Sequence, residues 1–163
     1  MIVGAGPVGS YLAYRLARLG HKVVVFERRS KVGDAVHCTG IIGKECFDRF
    51  PVSNSAILTH LSSAKFFAPS GKYLRLCKET VQAFVVDRIA FDCDLAHKAQ
   101  AEGAEYLLST RVEDIAILDD RVKTEVVHGG KTSNFEGKVV VISSGFGVSL
   151  PQRLGLGKIS SGW

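Results

Sequence analysis

The sequence predicts an α/β fold in which a parallel sheet opens on a strand–helix–strand unit and continues through a three-strand antiparallel meander. Three observations carry that expectation. A glycine-rich turn, GAGPVG, starts at the fourth residue, between an apolar strand end and an amphipathic stretch. Two continuous β-branched runs, KVVVFE at 22–27 and KVVVIS at 138–143, have the pattern of strands buried in a parallel sheet. Ahead of the second run, VEDIAIL, RVKTEVV and KTSNFEG are separated by turns at Asp119-Asp120 and Gly129-Gly130, the signature of a meander.

The elements follow in order. Met1 to Val3 reads as the end of the first strand. Leu12, Ala13, Leu16, Ala17 and Leu19 recur at helical spacing with Arg15 and Arg18 on the other side, and Gly20 stops that helix. RRSKVGDAVHCTGIIG has no clean period and reads as a long loop. KECFDRF is a short helix stopped by Pro51, AKFFAPSGKYLRL a hairpin turning at Ser70-Gly71, and AFVVD a strand. Residues 88–104 form a second amphipathic helix with Phe91, Leu95, Ala96 and Ala99 on one face, and EYLLS follows as a strand. Phe66-Phe67 is expected in packing, of the core or of a second lobe, rather than as a stacking platform.

Bulk properties narrow the function classes. The 163 residues, 46% hydrophobic, suffice for one domain with a core. No run is long and apolar enough to span a membrane, and the first residues lack the pattern of a secretory signal, so a cytoplasmic protein is expected. Cys38, Cys46, Cys77 and Cys93 form no CxxC pair, which argues against zinc and for reduced thiols. The net charge of +5 favours anionic partners. The basic residues are dispersed without interleaved aromatics, which argues against nucleic acid.

Gly4-Ala5-Gly6-Pro7-Val8-Gly9 fits G-x-G-x-x-G, and each glycine has a physical role in binding a dinucleotide. Gly4 permits the tight turn, Gly6 lets the backbone approach a pyrophosphate, and Gly9 lets the helix pack closely on the strand. The helix N-terminus turns free N–H groups and a positive dipole end toward that pyrophosphate. Glu27 ends the next strand about 20 residues on, where a carboxylate accepts hydrogen bonds from ribose hydroxyls and repels a 2′-phosphate. The competing readings are an ordinary glycine turn and a solvated strand-end acid. Arg28 and Arg29 either touch a phosphate or adenine or are solvated. About sixty residues separate Glu27 from the next convincing helix, and the meander precedes the last parallel strand. That order is a feature of FAD domains of the glutathione-reductase type, an analogy at the level of fold. The expectation is a Rossmann-type FAD-binding domain spanning 1–163, with the insertion at 44–86 contributing to a substrate-facing lobe.

Three segments together resemble the geranylgeranyl reductase family of FAD-dependent oxidoreductases, relatives of the aromatic-ring flavin hydroxylases. They are VGAGPVGS with the distal FERR, the loop VGDAVHCTGII, and VVDRIAFDCDLAHKAQAEGAEYLLSTRV with its D-R-x-x-F-D helix. The resemblance implies that Gly4, Gly6 and Gly9 hold the FAD pyrophosphate and Glu27 its ribose. It places Cys38, Thr39 and Gly40 along the flavin side, Arg88 at a phosphate or the ribityl part, and Val112 at the adenine through backbone groups. Gly145 lets the SSGFG turn pass close to the cofactor. Relatives often carry Asp-Gly in that turn, where this chain has Ser144-Gly145. The later Gly-Asp motif of the family is missing, so the chain is expected to be an incomplete stretch of a longer protein.

On its own residues, Cys38 also reads as a buried small hydrophobe and Arg88 as the ion-pair partner of Asp87 or Asp92. His37 beside Cys38 invites a nucleophile pair, but adjacent strand-like residues point to opposite faces. The resemblance implies reduction of C=C bonds in a prenyl-chain substrate, with hydride from reduced flavin and an external electron donor, NAD(P)H or ferredoxin-like. Peripheral contact with a membrane surface would accompany a lipid substrate. The rival readings are a flavin-dependent monooxygenase or halogenase, a non-catalytic nucleotide-binding fragment, and an NAD-dependent dehydrogenase domain, the last opposed by the meander.

Overall fold

The computed structural model describes residues 1–34, 38–50, 52–145 and 149–157. In chain order the elements are β1 (Ile2–Val3), α1 (Pro7–Arg18), β2 (Val24–Phe26), β3 (Ile41–Gly43), α2 (Lys44–Arg49), β4 (Ile57–Leu61), β5 (Ser63–Phe67) and β6 (Tyr73–Cys77). Then come β7 (Ala83–Val86), α3 (Arg88–Ala101), β8 (Glu105–Leu107), β9 (Thr110–Ile117), β10 (Val122–His128), β11 (Lys131–Gly137), β12 (Val141–Ile142) and α4 (Leu150–Arg153). The chain divides into two compact units: residues 1–34 with 95–163, and residues 35–94. No helix among the described residues is long and apolar enough to cross a membrane.

The first unit is built on a parallel sheet of order β12-β1-β2-β8, with Ile2 opposite Val25 and Val141, and Val24 opposite Glu105. Ile2, Val25 and Phe26 are almost fully buried, each contributing about 1.5–3 kcal/mol. Ala13 and Ala17 of α1 join this core, because small side chains let the helix lie close to the strands. The meander β9-β10-β11 is antiparallel, as the alternation predicts. Phe135 of β11 meets Phe26 edge-on at 5.0 Å.

The second unit holds a sheet of order β3-β7-β4 and a separate hairpin, β5-β6. Its core is aromatic: Phe84 of β7 packs edge-on against Phe47 at 4.7 Å and His60 at 5.2 Å, and Phe91 lies 6.4 Å from Phe47. The predicted apolar face of α3 is buried at Phe91, Leu95, Ala96 and Ala99.

Three expectations need correction, and one strand, β4, was not anticipated. The run at 138–143 forms only the two-residue β12, with Val139 61% exposed, because it lies at the edge of the described sheet and has only β1 beside it. The loop after Glu27 contains β3, which pairs with β7. The strand β4 is interrupted by a register shift between Ile57 and Thr59, so its residues never alternate cleanly enough to be read. Phe66 and Phe67 are not in a core but are 57% and 69% exposed, because the hairpin that carries them packs on no third strand among the described residues. Pro51, the expected stop of α2, lies outside the described residues, and Phe50 caps that helix.

Candidate dinucleotide site

The glycine turn is as tight as the motif requires. Gly4 has φ +101°, and a Cβ there would lie 2.7 Å from the Ser143 carbonyl oxygen. A Cβ on Gly9 would lie 2.0 Å from the Gly4 carbonyl oxygen and 2.6 Å from Ser143 Oγ. Gly6 differs from both. It precedes α1 with ordinary extended backbone, φ −68°, and a Cβ on it would meet no heavy atom within 4 Å. Among the described residues nothing demands glycine at that position. Pro7 opens the helix, no side chain caps its N-terminus, and its first turn holds no acid. The cradle beside Gly6 therefore suits an anion approaching the backbone.

Glu27 leaves β2 with its carboxylate turned back toward the turn. One oxygen accepts from the Ala5 N–H and the other from the Arg29 N–H, both at 2.9 Å. An ionised carboxylate offers about four acceptor positions, so two N–H bonds leave capacity for hydroxyl donors. The Thr110 N–H donates to the Glu27 carbonyl at 2.8 Å, which draws the start of β9 alongside.

A cavity of about 250 Å³ opens at these strand ends, lined by Gly4, Glu27, Arg28, Val112, Glu113 and Arg153 among others. In the pairing of β9 with β10, Val112 faces Val126 and Asp114 faces Glu125, leaving Glu113 as the extra residue of a bulge. The bulge leaves Glu113, next to Val112, without a partner across this ladder. Arg153 of α4 donates to the Glu113 carbonyl and Arg111 pairs with its carboxylate. Ser144 also lines the cavity; Gly145, beside it, has φ +74°.

The second unit brings Cys38, Thr39, Gly40 and Arg88 together. Gly40 has φ +74°, and a Cβ on it would lie 2.6 Å from the Val86 carbonyl oxygen, so only glycine lets this loop run against β7. The Val86 N–H donates to the Gly40 carbonyl at 2.9 Å. The D-R-x-x-F-D pattern has a local explanation. Asp87 caps α3, its Oδ1 accepting from the Ile89 and Ala90 N–H groups at 2.9 and 3.1 Å. Phe91 enters the core, and Arg88 forms a two-pronged ion pair with Asp92 one turn on, at 3.1–3.3 Å.

That ion pair is largely buried, with side-chain exposures of 17% for Arg88 and 7% for Asp92. Burial pushes the Asp92 carboxyl above its usual range, outweighing the opposite pull of Arg88. Cys38 is exposed, contrary to the buried reading of that residue. Its thiol is held below the ordinary range, chiefly by a backbone hydrogen bond from Gly40 and further by Arg88 and Thr39.

The sequence-predicted residues thus fall into two groups, each coherent within its unit. Gly4, Gly6, Gly9, Glu27, Arg28 and Val112 share the glycine-turn region with Gly145 close by; Cys38, Thr39, Gly40 and Arg88 share the loop at β7. His37, Phe146 and Gly147 lie outside the described residues. Sequence reasoning missed Ser143 and Ser10. The Ser143 hydroxyl reaches the Val3 and Gly4 carbonyls at 3.0 and 3.2 Å, and the fully buried Ser10 hydroxyl donates to the Ala5 carbonyl at 3.1 Å. It also missed Arg153. Serines carry little signal in a single sequence; the only hint was their nearness to the glycine motifs.

Residues 2–68 match the NAD(P)-binding Rossmann-like domain family. A digeranylgeranylglycerophospholipid reductase of Methanosarcina mazei is 31% identical over 150 residues, 89% of this chain and 37% of that protein. A geranylgeranyl bacteriochlorophyll reductase-like protein from Thermoplasma acidophilum superposes with a TM-score of 0.85 at 25% identity, covering 94% of this chain and 41% of that one. The flavin-dependent halogenase CmlS gives a TM-score of 0.71 at 25% identity, over 94% of this chain and 30% of that one. The chain thus spans about two fifths or less of the length of these relatives. The likeness to the geranylgeranyl reductase family is found again, in sequence relatives and in a solved fold.

Proposed function

We propose that the chain is the cofactor-holding part of an FAD-dependent oxidoreductase that reduces C=C bonds of a prenyl-chain substrate. One observation supports this most: Gly6 is glycine where no atom of the described residues requires it, at a helix N-terminus beside a carboxylate with acceptor capacity left. In this reading Gly4 and Gly9 shape the turn, Gly6 admits the pyrophosphate, and Glu27 takes the ribose hydroxyls. Val112 meets the adenine through backbone groups beside the bulge, and Arg28 or the turn at Gly145 borders the cofactor. The resemblance assigns Cys38, Thr39 and Gly40 to its flavin side, and Arg88, which pairs with Asp92, to its ribityl or phosphate part.

The chemistry a flavin would supply when bound is hydride delivery to one carbon of the double bond, with a proton from a donor reaching the other carbon. The protein's part is to bind, orient and exclude water. An external donor, NAD(P)H or a ferredoxin-like protein, supplies the electrons. The insertion at 44–86 contributes to the substrate-facing lobe. A prenyl lipid resides in a bilayer, so such a reductase works at a membrane surface.

A second reading, a flavin-dependent halogenase or monooxygenase, is favoured by the likeness to CmlS. The test is made on the full-length protein. Purified protein is expected to carry a flavin absorption spectrum, to release FAD on denaturation, and to saturate a prenyl chain anaerobically once reduced. Colourless protein that takes up no added FAD would overturn the flavoenzyme reading. FAD with turnover only in oxygen would transfer support to the halogenase or monooxygenase.

A further inference from the structure

The hairpin β5-β6 carries none of the residues assigned to the dinucleotide site. Its register pairs Ala64 with Leu76 and Phe66 with Leu74 on one face, and Lys65 with Arg75 and Phe67 with Tyr73 on the other. The first face is wholly apolar, yet Phe66, Leu74 and Leu76 are 57%, 59% and 52% exposed. On the second, Phe67 and Tyr73 stack in a tilted pair at 5.5 Å, with Lys65 Nζ 5.4 Å from the Tyr73 ring. From residue 61 to 78 the chain carries Lys65, Lys72, Arg75 and Lys78 and no acid.

A two-stranded hairpin is marginal in water without a covering layer, and like charges set directly opposite, as Lys65 and Arg75 are, weaken its ladder. Both costs point to the same kind of partner. An apolar phase relieves the exposed Phe66–Leu74 face, and a negative surface relieves the Lys65–Arg75 pair. We propose that β5-β6 is an amphipathic hairpin that docks on an anionic lipid surface. Its apolar face dips into the acyl boundary, Phe67 and Tyr73 sit at headgroup level, and the four cations pair with lipid phosphates. The inference rests on the prenyl-reductase reading only for the reason such docking would be useful. Vesicle binding needs neither flavin nor turnover, so its failure would leave that reading standing.

The test uses the full-length protein in co-sedimentation with phosphatidylglycerol–phosphatidylcholine vesicles and with phosphatidylcholine alone. Binding is expected only with the anionic lipid, to weaken with salt, and to fall about tenfold or more in the Lys65→Glu/Arg75→Glu double variant. Both positions are exposed, so that variant is expected to fold, with an unfolding midpoint close to that of the unaltered protein. Phe66→Trp, made in the full-length protein with Trp163 and every other tryptophan replaced by Phe, should emit at shorter wavelength when anionic vesicles are added. The proposal is overturned by absence of vesicle binding, or by binding that the charge reversal leaves intact. It is equally overturned by Trp emission already shifted before lipid is added. That last result would mean that a second copy or another stretch of the longer protein covers the face.

Discussion

The turn at Gly4–Gly9 and the loop at Gly40 solve a similar problem in different ways. Each uses a glycine at positive φ to bring backbone against backbone, and each sets a charged side chain beside it. Around Gly40 the packing explains two of the choices: the Val86 carbonyl excludes a side chain, and Arg88 is paired with Asp92. At the first turn it explains only some. Gly4 and Gly9 are demanded by neighbouring atoms, whereas Gly6 borders open space and, among the described residues, the Glu27 carboxylate bonds backbone N–H groups. The difference separates residues that the protein's own packing explains from residues that it leaves unexplained.

The largest effect should come from Gly9→Ala against Gly6→Ala. The Gly9 methyl would collide with backbone that cannot yield, so a loss of about 3 kcal/mol or more is expected in denaturant unfolding. Gly6→Ala should keep stability within about 1 kcal/mol and still lose FAD by absorbance after purification. Equal losses of stability would erase the contrast between the two glycines.

Asp92→Ala comes next. It strands a largely buried guanidinium and should cost about 3 kcal/mol in the same measurement. The pair has a pH signature as well. Because burial raises the Asp92 pKa in the folded state, the fold holds that proton where the unfolded chain has released it. The resulting stability is fully present below the ordinary carboxylate value and is lost as pH rises through the folded one. Asp92→Asn should flatten stability across that acidic window.

Glu27→Gln places an amide N–H₂ against one of two N–H donors. A destabilisation of about 1–2 kcal/mol is expected, with weaker FAD retention than wild type. At Cys38 the readout is chemical: iodoacetamide should alkylate it with a midpoint below the ordinary thiol range. Arg88→Ala should move that midpoint upward without fully restoring it, because the Gly40 hydrogen bond remains the larger cause. Smallest of all, Lys44→Ala removes an exposed pair with Asp48 and should change stability by about 0.3 kcal/mol.

Much of the fold was legible in the chain because its signals are local. The face of α3 and the meander turns follow from periodicity and glycine placement, as does the Pro7 start of α1. The glycine motif and its distal acid were legible for the same reason. The roles of Ser143, Ser10 and Arg153 were not, since each depends on a partner far along the chain.

What the sequence determined by itself was the strand–helix–strand start, the meander, and which residue types could meet a dinucleotide. Those follow from periods of two and 3.6 residues and from the few conformations that glycine and proline permit. Tertiary structure alone decided that Gly6 is free while Gly9 is pinned, that Arg88 is paired with Asp92, and that Cys38 and the Phe66 face are exposed. Burial and contact arise only when distant segments meet, and no local pattern records which segment will arrive.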